Sequence, residues 1–143
     1  LGAKQLKKPW KTVCLMGDGE CCEGSVWEAA MSAAHFKLDN IVGIVDRNRL
    51  MIDGCTEDVM ALEPFADKWR AFGWNVIEVN GHDLDELDCA LDAAWKAEGK
   101  PTLILANTVK GKGVDFMENN VVYHYASGDS ALCEKAKASI MRG

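Results

Sequence analysis

The sequence has little of what several classes of partner require. Its formal net charge is −6, whereas proteins that bind nucleic acid or anionic membranes need a cationic face. It contains no apolar run long enough to span a bilayer, and its first residues do not form a recognisable signal peptide. We therefore expect no nucleic-acid partner, no membrane partner and a cytoplasmic location.

Zinc ligation is also poorly supported, although the sequence contains six cysteines. None of them forms a Cys-x-x-Cys pair, and none has a histidine at the spacing of zinc ligands. Because no secretion signal indicates an oxidising compartment, we predict reduced thiols. We expect most of the cysteines to serve as small apolar side chains of the core. We expect the adjacent Cys21 and Cys22 to lie near the functional site without taking part in its chemistry.

The length and composition are those of one globular domain. The chain has 143 residues, of which 48% are hydrophobic and 27% charged, and this is enough for a sizeable core. Leu1, Ala3 and Leu6, followed by Pro9, resemble the tail of a helix that begins upstream. We expect a single domain over residues 1–143, with a further N-terminal portion preceding it.

Short apolar runs alternate with amphipathic segments along the chain. The runs predict buried parallel strands, and the segments of 3.6-residue period predict helices. We predict strands at 12–17, 40–46, 74–80 and 102–107, and helices at 25–38, 64–72, 84–98 and 127–142. This order predicts an α/β fold, a three-layer parallel sheet with helices on both faces.

Two helix starts carry specific capping predictions. Ser25 and Glu28 match a capping box, in which each side chain caps the backbone of the other. Asp83, followed by Glu86, matches a second N-cap.

Three polar segments, Gly17–Gly24, Asp46–Asp53 and Asn107–His124, follow the first, second and fourth predicted strands. The carboxyl ends of parallel strands meet at one edge of a sheet, and ligands of such folds bind outside that edge. We therefore expect these segments to line one site.

The first segment opens with Asp18 between Gly17 and Gly19. Glycine permits close approach of a ligand to the backbone, and the N-terminus of the helix that follows favours anions. A carboxylate there can accept a phosphate only through a divalent cation that bridges the two. The pattern indicates a diphosphate held through Mg²⁺, although an ordinary turn also contains such glycines.

Asn48 follows the second predicted strand and strengthens this interpretation. Its amide oxygen is a hard donor suited to Mg²⁺ or Ca²⁺, and adjacent strands would bring it near Asp18. An asparagine that only shapes the turn is the alternative.

Gly17-Asp18-Gly19, with Asn48 about thirty residues later, resembles the signature of thiamine-diphosphate enzymes. The stretch GDGECCEGSVWEAAMSAAHFKLDNIVGIVDRNRLMIDG narrows the resemblance to transketolases, especially the form split into two subunits. VIEVNGHD, ANTVKGKGVDFMENN and Tyr123-His124 fit the same family. The resemblance extends over essentially the whole chain and identifies it as the amino-terminal, diphosphate-binding subunit or a fragment of it.

The resemblance implies a metal bound to two loops. Asp18 and Asn48 would coordinate Mg²⁺, with Ca²⁺ or Mn²⁺ as possible substitutes, through side-chain oxygens. The backbone carbonyl of Leu50 would be the third protein ligand, and diphosphate and water would complete an octahedron.

The resemblance also implies how the rest of thiamine diphosphate is held. Gly17 and Gly19 would lie against the diphosphate, and Ile52 would pack on the thiazolium ring. Lys110 and Lys112, which flank a glycine in a flexible loop, are candidates for neutralising phosphate, although such lysines are often only solvated.

Glu23 and His124 match catalytic residues of the family. Glu23, with Glu28, matches acids near the subunit interface and the network that activates the cofactor. Glu23 would also favour the positive end of the following helix. His124 matches a histidine that faces the cofactor and the sugar, although Tyr125 stands where a glycine is usual.

The function implied is a transketolase half-site, a transferase that moves a two-carbon ketol unit between sugar phosphates in carbohydrate metabolism. It would be active only with a pyrimidine-binding C-terminal subunit, in a dimer of such heteromeric pairs. The alternatives are another thiamine-diphosphate enzyme, such as a deoxyxylulose-phosphate synthase or a decarboxylating dehydrogenase component, and a catalytically silent scaffold subunit.

Overall fold

The computed structural model describes residues 1–125 and 128–142. A parallel sheet of four strands occupies its centre, in the spatial order β1-β2-β6-β5. These strands are β1 (Thr12–Gly17), β2 (Ile41–Arg47), β5 (Asn75–Asn80) and β6 (Thr102–Asn107), and a separate antiparallel hairpin joins β3 (Leu50–Met51) to β4 (Gly54–Cys55). The predicted parallel sheet is confirmed, and every predicted strand boundary lies within one residue of the observed one.

Six α-helices are present in the described part of the chain. They are α1 (Gly2–Gln5), α2 (Gly24–His35), α3 (Thr56–Val59), α4 (Phe65–Ala71), α5 (Leu84–Lys96) and α6 (Ser130–Ile140), with 3₁₀ turns at Gly19–Cys22 and Val121–His124. Ser127, the predicted start of the last helix, lies outside the described residues. No helix among the described residues combines the length and the apolar character needed to cross a membrane.

Two apolar clusters hold helices on opposite faces of the sheet. On one face, Ala33 of α2 and Trp69 of α4 pack in a cluster that includes Leu103 of β6. On the other face, Ala94 of α5 packs in a cluster with Ile104. Leu103 and Ile104 are neighbours on one strand and therefore point to opposite faces. The predicted three-layer arrangement is confirmed.

One of the two capping predictions is wrong. Helix α2 begins at Gly24, one residue before Ser25, and its N-cap residue Glu23 makes no side-chain cap. The Ser25 hydroxyl instead lies 3.5 Å from a Glu23 carboxylate oxygen, because the preceding 3₁₀ turn leads the chain into the helix early. The other prediction is confirmed, since the Asp83 carboxylate accepts hydrogen bonds from two backbone N–H groups of α5.

The prediction that most cysteines are core residues is also wrong. Cys21 alone is fully buried, whereas Cys14, Cys22, Cys89 and Cys133 are exposed. Cys14 lies on the edge strand β1, and Cys89 and Cys133 lie on solvent-facing sides of helices. Cysteine is usually buried in folded proteins, but the exposure of these four cysteines follows from the surface positions that they occupy.

The strand register brings the three predicted site segments to one edge. Gly17 at the end of β1 pairs with Asp46, and Arg47 at the end of β2 pairs with Asn107 at the end of β6. Strands β1, β2 and β6 therefore deliver their following loops to adjacent places.

Candidate active site

All eight residues predicted for the site line one cavity at this edge. The cavity has a volume of about 520 Å³, within the range of small-molecule sites. Its lining includes Gly17, Asp18, Gly19, Glu23, Asn48, Leu50, Ile52 and His124. Glu28 is exposed on α2 and does not belong to this lining.

Asp18 is held in a fixed orientation at the base of this cavity, with 1% of its surface exposed. Its Oδ1 atom accepts a hydrogen bond of 2.8 Å from the N–H of Gly19. Its Oδ2 atom accepts hydrogen bonds of 2.6 Å from the N–H of Arg49 and 3.1 Å from Nη1 of Arg47. Three donors from two loops thus orient one carboxylate.

The loop after β2 is shaped so that it reaches Asp18. Arg49 has a φ of 66°, a left-handed conformation that is costly for a residue with a side chain. Hydrogen bonds on both sides of Arg49 support this conformation. The Arg49 carbonyl accepts one of 3.0 Å from the N–H of Thr56. The Asn48 amide oxygen accepts one of 3.0 Å from the N–H of Leu50.

The two glycines beside Asp18 have different surroundings. A Cβ atom on Gly19 would lie 3.0 Å from Cβ of Met51, whereas one on Gly17 would meet no atom within 4 Å. Gly19 therefore allows two loops to pack closely. Gly17 leaves open a space that a side chain would fill.

Arg47 is a site residue that sequence reasoning missed. Only 2% of its surface is exposed, and it contacts Asp18, Glu57 and Glu63. Burial lowers the pKa of Arg47, but its hydrogen bonds to Glu63 and Asp18 outweigh burial and raise the pKa above its ordinary value. The signal was an arginine at the end of an apolar strand, since a buried guanidinium requires carboxylate partners.

Glu20 and Glu23 contribute negative charge on the α2 side of the cavity. A Glu20 carboxylate oxygen accepts a hydrogen bond of 3.1 Å from the N–H of Gly17. Glu23 is exposed and stands at the N-cap of α2. Its carboxylate, 3.5 Å from the Ser25 hydroxyl, is exposed at the positive end of the helix, where it can face a partner or a ligand.

The loop after β6 forms the opposite side of the cavity. Nε2 of His82, in the loop after β5, accepts a hydrogen bond of 2.7 Å from the N–H of Val109, and the Thr108 hydroxyl donates to the Asp46 carboxylate. Lys110 lines the cavity, whereas Lys112 lies outside its lining and 3.5 Å from Glu118.

His124 presents a ring nitrogen that lacks a partner. Its side chain is half-buried, and its Nδ1 atom is buried without a hydrogen-bond partner among the described residues. The Tyr125 ring packs edge to face against the His124 ring, with 4.9 Å between the two ring centres. Tyr125 itself has a φ of −127°, so the glycine usual at this position is not required by the backbone.

The buried thiol beside the cavity is chemically silent. Burial raises the pKa of the Cys21 thiol to about 12, which keeps it protonated. Thiolate is the form that attacks or binds a metal. The described residues also contain no group of three or more His, Cys, Asp and Glu that could hold a metal.

The donors at the cavity fit a hard cation together with a phosphate ligand. Asp18 and Asn48 offer a carboxylate and an amide oxygen, and both line the cavity. Such a site is short of protein ligands for Mg²⁺, which commonly completes its octahedron with phosphate and water. Gly17 and His124 line the same cavity.

Residues 7–140 match the family model of the transketolase thiamine-diphosphate-binding domain. The chain belongs to this family. It is 45% identical over 136 residues to one subunit of an apulose-4-phosphate transketolase of Phocaeicola vulgatus, covering 95% of this chain and 48% of that protein. It is 48% identical over 110 residues to one subunit of a 6-deoxy-6-sulfo-D-fructose transketolase of Clostridium sp., covering 77% of this chain and 40% of that protein.

The fold agrees with this assignment. A transketolase structure from Campylobacter jejuni superposes with a TM-score of 0.86 at 35% identity, covering 94% of this chain and 21% of that one. The chain therefore spans half or less of the length of these relatives. The family assignment concerns the thiamine-diphosphate-binding domain, which this chain shares with these relatives.

Proposed function

We propose that the chain is the diphosphate-binding half-site of a split, Mg²⁺-dependent transketolase. The observation that carries this proposal is the convergence of all eight predicted residues on one cavity. The names of the relatives, two of which are subunits of transketolases, support the same function. The name of the first relative, an apulose-4-phosphate transketolase subunit, supports a transferase that acts on sugar phosphates.

In this proposal, the metal and the diphosphate are bound by the two loops that meet at Asp18. Asp18 and Asn48 hold Mg²⁺ by side-chain oxygens, and Leu50 holds it by its carbonyl. Gly17 and Gly19 accommodate the diphosphate. Mn²⁺ or Ca²⁺ is a possible substitute, since all these donors are oxygens.

When bound, thiamine diphosphate supplies the chemistry for breaking and forming the carbon–carbon bond. The chain positions it and controls its surroundings. Ile52, which is 50% exposed, offers an apolar surface on which the thiazolium ring is shielded from water. The His124 ring, which lines the cavity, holds or transfers a proton at a sugar oxygen.

The proposed partner is a pyrimidine-binding C-terminal subunit, because two relatives are named as single subunits of apulose-4-phosphate transketolases, which indicates a split enzyme. The exposed Glu23 carboxylate would reach this partner at the mouth of the cavity and join the network that activates the cofactor. A dimer of such pairs and a cytoplasmic location remain predictions.

Calorimetry on the complete two-subunit protein tests the proposal. Thiamine diphosphate should bind only when Mg²⁺ is present, and the assembly should convert ribose 5-phosphate with xylulose 5-phosphate or with another ketose phosphate donor. The control variant is Lys96→Ala, whose exposed side chain lies on α5 away from the cavity. It should bind the cofactor and convert the sugars as the unmodified protein does.

Two results would contradict the proposal in different ways. Absence of metal-dependent cofactor binding would rule out the half-site. Binding without turnover on any ketose phosphate tried would instead favour a silent scaffold subunit.

A further inference from the structure

Arg47 is the most deeply buried cation of the described chain, and nothing in the proposed ligand set uses it. It is the last residue of β2 and immediately precedes Asn48. A buried charge is costly unless several partners compensate it. Its position between two proposed metal ligands calls for a specific explanation.

The guanidinium is fixed by contacts on several sides. Nη1 donates to Oδ2 of Asp18 at 3.1 Å and to the buried hydroxyl of Thr56 at 2.9 Å. Nη2 donates to Glu57 at 3.2 Å and to Glu63 at 2.8 Å. The group also lies 5.5 Å above the ring centre of Phe65. Arg47 therefore cannot turn without breaking several contacts.

This arrangement limits how many atoms of Asp18 remain available to a metal. An ionised carboxylate has about four acceptor positions. Oδ2 already accepts from Arg47 and from the Arg49 N–H, and Oδ1 accepts from the Gly19 N–H. One acceptor position is left, and it is on Oδ1.

A carboxylate with one open position binds a cation through a single oxygen. Mg²⁺ is small, requires a near-ideal octahedron and is commonly bound in this way. Ca²⁺ takes six to eight ligands and often binds both oxygens of a carboxylate. Blocking Oδ2 thus disfavours Ca²⁺ more than Mg²⁺.

We propose that Arg47 is a positioning residue that makes Asp18 a one-oxygen ligand and so selects Mg²⁺ over Ca²⁺. The proposal rests on the proposed function, because it requires a metal at Asp18. It adds that Glu57 and Glu63 act through Arg47, as the clamp that keeps the guanidinium on Oδ2.

The test is a comparison of the Kd values of Ca²⁺ and Mg²⁺, measured by calorimetry with excess thiamine diphosphate on the complete two-subunit protein. Arg47→Lys retains the charge but cannot bridge all these partners. It should lower the ratio of the Ca²⁺ Kd to the Mg²⁺ Kd by about tenfold. Arg70→Met removes a surface arginine paired with Asp67 and Glu78, and should leave the ratio unchanged.

A second variant covers the case in which Arg47→Lys does not fold. Glu63→Gln alters a residue whose side chain is 53% exposed and loosens the clamp without touching Asp18. It should lower the same ratio by about threefold, less than the direct change because Glu57 still holds Arg47. A crystal structure of either variant with Ca²⁺ should show both Asp18 oxygens on the ion.

The outcomes separate this inference from the proposed function. If the variants weaken both ions equally, or leave the ratio unchanged, Arg47 is only a structural ion pair and the inference is wrong. If the unmodified protein binds no thiamine diphosphate with Mg²⁺, the proposed function itself is wrong.

Discussion

The two sides of the cavity are built differently. The strand-end wall, residues 17–24 and 46–53, contains the buried Asp18 and Arg47, with 1% and 2% of their surfaces exposed. The flap wall, residues 107–125, is an irregular segment whose Val122 and Tyr125 are 77% and 76% exposed. The strand-end wall therefore contains a buried ion pair, whereas the ion pairs of the flap wall, Lys112 with Glu118 and Asp115 with Arg142, are partly or largely exposed.

The flap wall is nevertheless attached at defined points. The Val109 N–H donates to His82, and the N–H of Asp115 donates to the Ser139 hydroxyl of α6 at 2.9 Å. Between these points the segment carries Lys110 to the cavity, and His124 follows them into it. The difference suggests that the strand-end wall is ready for metal and diphosphate before binding, whereas the flap wall adjusts to cofactor and sugar.

The strongest test of this comparison is Asp18→Asn. It keeps the shape of the side chain but removes the charge that pairs with Arg47 and binds the metal. We expect metal-dependent cofactor affinity to fall by more than about 100-fold and the unfolding free energy to fall by up to about 3 kcal/mol, since a buried charge loses a partner. Calorimetry and thermal unfolding measure the two effects. Full retention of both would mean that the strand-end wall is neither a metal site nor a rigid one.

The paired variants Gly19→Ala and Gly17→Ala separate packing from ligand space within that wall. Gly19→Ala forces a Cβ against Met51 at 3.0 Å and should cost about 1–3 kcal/mol of unfolding free energy. Gly17→Ala meets no atom within 4 Å and should change stability by less than about 0.5 kcal/mol, while weakening thiamine-diphosphate binding. Equal stability losses in the two variants would refute the distinction.

The sequence predicted the strand-end wall better than the flap wall for a physical reason. Asp18 and Asn48 each follow a strongly apolar strand, and parallel topology alone brings such positions together. The side-chain partners of these residues depend on exact geometry, so neither the clamp on Arg47 nor the left-handed Arg49 was predicted. The β3–β4 hairpin was missed because two-residue strands have no detectable period.

Polar anchors far apart in the chain were also beyond the sequence. His82 follows β5 and holds Val109 after β6, although its neighbour Asp83 gave a clear capping signal. The capping box at Ser25 failed because a 3₁₀ turn, which local composition does not indicate, already ends at Cys22. Local sequence patterns therefore predict where helices and strands lie along the chain. The contacts between loops depend on how the sheet is assembled, and these patterns do not predict them.

His124→Asn tests the flap wall on its own. The side chain is half-buried and its Nδ1 atom has no partner among the described residues, so stability should change by less than about 0.5 kcal/mol. If the ring transfers a proton at the sugar, kcat should fall by about 100-fold with little change in cofactor affinity. Steady-state kinetics and calorimetry distinguish this from a binding role, in which cofactor affinity would fall instead.

The smallest expected effect is the pH dependence that the clamp confers on the strand-end wall. The hydrogen bond from Arg47 lowers the pKa of Glu63 below its ordinary value of 4.5. A carboxylate whose pKa is lowered by folding stabilises the folded state above its unfolded pKa, and loses this contribution as the pH falls through its folded pKa. Stability should therefore decline below about pH 4.5, and Glu63→Gln should flatten part of that decline.

Because the Glu63 side chain is 53% exposed, solvent screening keeps this contribution below about 1 kcal/mol. Urea unfolding at a series of pH values between neutrality and about pH 3 measures it. Glu134→Gln removes an exposed pair with Lys137 on α6, remote from Arg47, and should leave the slope in place. If the two variants flatten the decline equally, the loss of stability in acid comes from surface carboxylates in general. The contacts around Arg47 in the strand-end wall would then make no specific contribution to the pH dependence.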